Sequence, residues 1–84
     1  MSDAKHEGLP VAGYKPQSAQ SVELVNGMKV TEEIVLRCLD DLAAMPEVDK
    51  RWLAIGRTQI EQGFMAVNRS IFKPGRVPLT DDVP

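Results

Sequence analysis

DKRWLAIGRTQIEQGFMAVNRSIF, Asp49 to Phe72, decides the fold of this chain. Its large apolar residues fall at Leu53, Ile60, Phe64, Val67 and Ile71, the three-, four- and seven-residue spacing of one helical stripe. Lys50, Arg57, Glu61 and Asn68 fall on the other side. A helix over the whole stretch is about 36 Å long, enough to span a chain of this size. Gly56 and Gly63 share one face of it, and each costs a helix interior about 1 kcal/mol relative to alanine. Their spacing predicts a backbone packed closely against that face, from this chain or from another subunit.

Upstream, Pro46 closes the preceding element, because the residue before a proline is pushed out of helical geometry. It is placed to sit in the first turn of the Asp49–Phe72 helix, with Glu47 and Asp49 near the positive end of the dipole. The element before it, EEIVLRCLDDLAAM, has an apolar stripe of Ile34, Val35, Cys38, Leu39, Leu42 and Met45. Cys38 belongs to that stripe and reads as core packing. Thr31 ahead of Glu32 and Glu33 reads as the start of this helix, a capping hydroxyl followed by acids. The short joint at Pro46 makes the two helices antiparallel neighbours. Further upstream, Gln17 to Val25 reads as a short helix capped by Ser18 and stopped by Asn26-Gly27. The expected fold is therefore all-α, a short N-terminal helix followed by an antiparallel two-helix hairpin over residues 17–72. Residues 1–16, broken by Gly8, Pro10, Gly13 and Pro16, form an irregular arm, and residues 73–84 an extended tail.

A chain of 84 residues is one thin domain. At this length a single core rarely supplies more than a few kcal/mol, so a partner surface is expected, most simply a second copy of the chain. The lone cysteine excludes an internal disulfide framework. One histidine and one cysteine exclude an ordinary structural zinc site. With a formal net charge of −2 there is no basic footprint for duplex DNA or RNA. No apolar run exceeds four residues, so no transmembrane helix is expected and the membrane is not a partner. The first residues lack the apolar stretch of a signal peptide, and a cytoplasmic protein is the expectation.

For catalysis the sequence offers little. Glu33 and Asp40 share a helix face, but the second long helix has no matching compact acidic pair, so a carboxylate metal site is not expected. His6 lies in the arm, away from any nucleophile, and triad chemistry has no base. Binding is better supported. Gly27, Lys29 and Thr31 place a flexible joint, a cation and a helix start together, the pattern of a phosphate site. Arg69 carries a planar fork able to hold a phosphate through two hydrogen bonds. Tyr14 offers a ring on which a base can stack. An oligomeric helical hairpin with no small ligand is the alternative.

The runs LPVAGYKPQS, VNGMK and DKRWLAIGRTQIEQGFMAVNRSIF closely resemble the phage anti-CBASS sponge family, from about Gly8 to Val77. The resemblance implies a homohexamer that binds and holds the cyclic oligonucleotide messengers of bacterial antiphage signalling without cleaving them. It implies cyclic dinucleotide pockets between subunits, a separate cyclic trinucleotide site, no cofactor, and action in the cytoplasm of the infected host. By the same resemblance Tyr14 stacks on a purine and Lys29 covers the opposite side of the ligand. Gly27 and Thr31 contact the ligand, and Arg69 meets phosphate.

Overall fold

Two long helices carry the structure, α1 over Ala19–Ala43 and α2 over Lys50–Phe72. The computed structural model describes residues 11–82. The reading of the arm at residues 1–10, His6 included, and of the last two tail residues lies outside the described residues. No strand occurs among the described residues, and a 3-10 turn at Thr80–Asp82 follows α2. No helix among them is long and apolar enough to cross a membrane.

The ends of the helices follow from local chemistry. Ser18, in extended backbone, caps α1 with its hydroxyl accepting from the Ser21 amide at 3.0 Å. Asp49 caps α2, its Oδ1 accepting from the amides of Arg51 at 3.0 Å and Trp52 at 3.1 Å. Pro46 therefore sits in the turn between the helices, ahead of the first turn of α2 where it was expected. The turn is fixed from both sides: the Met45 amide donates to Leu42, the Val48 amide to Met45, and the Lys50 ammonium to the Met45 and Val48 carbonyls. Replacing Asp49 by alanine frees two amides at once. The expected loss is about 0.5–2 kcal/mol, read as a lower melting temperature, whereas Asp49→Asn should keep most of the stability. An unchanged melt in Asp49→Ala would mean that packing alone holds this end.

The expected break at Asn26-Gly27 is absent, and the short N-terminal helix is simply the first part of α1. The buried Val25 and the half-buried Ser21, Met28, Glu32, Val35 and Leu39 keep one helical phase straight through Gly27. Continuous packing against α2 outweighs the ~1 kcal/mol helix penalty of one glycine. Thr31, read from the sequence as a cap, lies in mid-helix, and its hydroxyl donates to the Gly27 carbonyl at 3.0 Å.

The helices run antiparallel, as the short joint required. Near the turn Arg57 Nη1 meets Asp40 Oδ1 at 2.9 Å, and at the other end Gln17 Nε2 reaches the Phe72 carbonyl at 3.0 Å. The hydrogen bond to Asp40 holds the Arg57 guanidinium pKa above its ordinary value. Glu33 pairs with Arg37 at 2.9 Å. Two acids considered above for a metal site are thus tied into ion pairs, and no group of three or more potential metal ligands forms among the described residues.

The interior is very thin. Val25, 4% exposed, is the only buried hydrophobic residue among those described. The α1 stripe read from the sequence is split: Val35 and Leu39 are half-buried, while Ile34 (59% exposed), Cys38, Leu42 and Met45 are exposed. Cys38 is therefore not a core residue. On α2, Leu53, Ile60, Phe64 and Ile71 turn inward as expected, but Val67 is exposed and Arg57, Glu61 and Asn68 are half-buried. The facing surface of a two-helix seam is too narrow to cover both flanks of the stripe. Gly56 and Gly63 have no neighbour among the described residues within 4 Å of where a Cβ would stand, so no other described backbone packs on them. The radius of gyration, 18.1 Å, compares with about 12 Å for a compact chain of this length.

Candidate functional site

Three segments meet at the end of the hairpin that carries the helix α1 start. On α2, Gln62, Met65, Arg69 and Phe72 recur at intervals of three and four and so share one face. The arm crosses this face, and the residues after α2 turn back beside it. Lys73 adopts the left-handed conformation at φ 47° and ψ 59°, its amide donating to the Arg69 carbonyl at 2.7 Å. Pro74 follows and prevents the helix from resuming.

The result is a cavity of about 460 Å³ lined by Tyr14 from the arm, Pro74 from the tail, and Gln62, Met65, Arg69 and Phe72 from α2, with Ala66 and Asn68 completing it. Tyr14 is half exposed, leaving its ring available to a ligand. Its backbone is held by a tight turn in which the Tyr14 amide donates to the Val11 carbonyl at 3.1 Å. Gln17 anchors the arm, its carboxamide donating to the Lys15 carbonyl at 3.2 Å as well as to that of Phe72. An aromatic face, a guanidinium and an apolar floor thus border one space. That set suits a nucleotide: the base stacks and the phosphate takes the fork.

Of the five residues assigned from the sequence, Tyr14 and Arg69 come together here. Gly27, Lys29 and Thr31 do not line this cavity; all three are exposed along α1. The free amides expected around Thr31 do not exist, because α1 runs through that point and its interior amides are bonded within the helix. A phosphate there would meet the Lys29 ammonium and not a helix end. Gln62 and Met65 escaped the sequence reading although their spacing from Arg69 places them on its face. Nothing in the residues signalled that Pro74 would fold back beside Tyr14.

The family model described as Acb2/Tad1, hairpin domain, matches residues 7–72, well over half of the chain. No curated protein matches, and no solved structure does. The matched span takes in both helices, the turn between them and the arm that delivers Tyr14. The chain belongs to the Acb2/Tad1 hairpin-domain family, the anti-CBASS sponge family that its sequence resembles.

Proposed function

We propose that this protein sequesters cyclic dinucleotides such as cyclic GMP–AMP, and cyclic trinucleotides at a separate site, and thereby keeps CBASS effectors inactive in the cytoplasm of a phage-infected host. It holds the messenger intact and needs no cofactor. The observation that carries this reading is the shared cavity of Tyr14 and Arg69. A stacking ring and a bidentate cation on one wall match one half of a ring built from two bases and two phosphates.

The other half comes from a second copy of the chain. One buried hydrophobic residue among those described is too little interior for a stable lone hairpin, and the exposed Val30, Ile34 and Cys38 form a second apolar stripe on α1. Gly56 and Gly63 leave room for a close neighbour on α2. Assembly, as a homohexamer by family resemblance, covers these surfaces. It also brings Lys29, Gly27 and Thr31 of one copy toward the cavity of another, which reconciles the five residues with their separation in a single chain. A near-symmetric ligand suits a seam between identical subunits.

Native mass spectrometry with and without a panel of cyclic dinucleotides and trinucleotides tests this directly. The expected spectrum shows one oligomer that gains a whole number of messengers, and denaturation returns each messenger at its original mass. An oligomer whose mass no member of the panel changes refutes the binding reading and leaves the ligand-free helical assembly. Recovery of linear or monomeric nucleotides refutes sequestration without turnover.

A further inference from the structure

The segment beyond α2 begins where the family match ends, yet it supplies part of the cavity wall. Its Gly75 amide donates to the Gly13 carbonyl at 2.6 Å, joining the tail to the arm one residue before Tyr14. Gly13 lies at φ +91°, a conformation strained for any residue with a Cβ. A Cβ there would also stand 2.6 Å from the Gly75 carbonyl oxygen, closer than real contacts allow. Position 75 is different. A Cβ at Gly75 would lie 3.6 Å from the Gly13 oxygen, an ordinary contact.

From this geometry we infer that Gly13 and Gly75 form a clasp that positions Tyr14 over the Arg69 side of the cavity, making the tail a working wall of the ligand site. The inference rests on the reading of Tyr14 as the stacking residue. Unclasped, the irregular residues between Val11 and Gln17 have no other backbone bond across to the tail among those described. The ring would then sample many placements, and each binding event would have to order it afresh. Gly13 and Gly75 are positioning residues, since neither is among the residues that line the cavity.

The experiment compares full-length Gly13→Ala and Tyr14→Ala, singly, with Gly13→Ala/Tyr14→Ala as the double variant. Cyclic dinucleotide affinity is followed by calorimetry, and exchange of the residue 75 amide by NMR without ligand. The free wild type should protect that amide at least tenfold. Gly13→Ala should lose protection and at least tenfold in affinity, with its helical circular dichroism and native mass unchanged. In the Tyr14→Ala background the Gly13 substitution should add almost nothing, because the ring it positions is gone. A freely exchanging Gly75 amide overturns the clasp whatever binds. A protected amide with full affinity in Gly13→Ala, or additive losses in the double variant, overturns the positioning role. A wild type that binds no cyclic nucleotide overturns the functional reading and this role with it, and the exchange data then show whether the clasp itself exists.

Discussion

Tyr14→Ala is expected to weaken cyclic dinucleotide binding by one to several orders of magnitude while leaving the assembly intact. Stacking a base on an aromatic side chain contributes about 1–3 kcal/mol. A ligand whose two bases stack on two copies of Tyr14 loses both contacts together, about 2–6 kcal/mol on the same scale. At about 1.4 kcal/mol per tenfold, a nanomolar ligand would become micromolar near the middle of that range. The tyrosine is half exposed and lies outside both helices, so its removal leaves the helical seam untouched. Lys29→Ala is expected to weaken the same ligand through a different term, the cation that covers its far side. Calorimetry on both variants beside native mass spectra is the measurement. Wild-type affinity in Tyr14→Ala would remove the cavity from the binding site.

The second large effect concerns assembly. Ile34 stands exposed on a single chain, and its replacement by glutamate leaves a monomer almost unaffected, within about 0.5 kcal/mol. Within an oligomer that covers the Val30–Ile34–Cys38 stripe, the same carboxylate is buried without a partner. Leaving a buried charge uncompensated in this way costs about 3–5 kcal/mol per copy. Ile34→Glu should therefore shift the native mass to smaller species and make the melting temperature depend strongly on concentration. The Cys38 thiol, exposed on the single chain, provides an independent gauge. It should react slowly with a thiol reagent in the wild-type assembly and rapidly in the variant. An oligomer of unchanged mass in Ile34→Glu would place the subunit interface on another face.

Much of the hairpin was legible because two kinds of signal agreed. Around α2, apolar period and end chemistry pointed the same way, and the expected start at Asp49 and end at Phe72 match a capping aspartate and a last helical phenylalanine. At Gly27 the signals conflicted. Asn-Gly is a good local stop, but the positions facing α2 keep their phase across it, and packing prevailed over propensity. The same conflict misassigned Thr31, whose hydroxyl found a carbonyl four residues back in place of a free amide. Cys38 and Val67 were misplaced for another reason. A helical wheel gives the apolar arc but not how much of it a single partner helix covers, and here the arc is wider than the seam. In the candidate site, Tyr14 and Arg69 stood out by chemical type. Pro74 and Gly75 did not, because their role arises from a contact across most of the chain that no local pattern encodes.

On the proposed role, the unbroken course of α1 bears on how a cyclic nucleotide would be gripped. With every amide around Lys29 engaged inside the helix, no fixed backbone dipoles are left there to receive an anion. The negative charge of such a ligand would fall instead to long, solvated cationic side chains, whose attraction dissolved counterions dampen within about 10 Å at ordinary ionic strength. On the proposed sequestering role, retention of a cyclic nucleotide would then be set jointly by a salt-insensitive aromatic hold and a salt-sensitive ionic one, and the saltier the solution, the more of the work would pass to the ring.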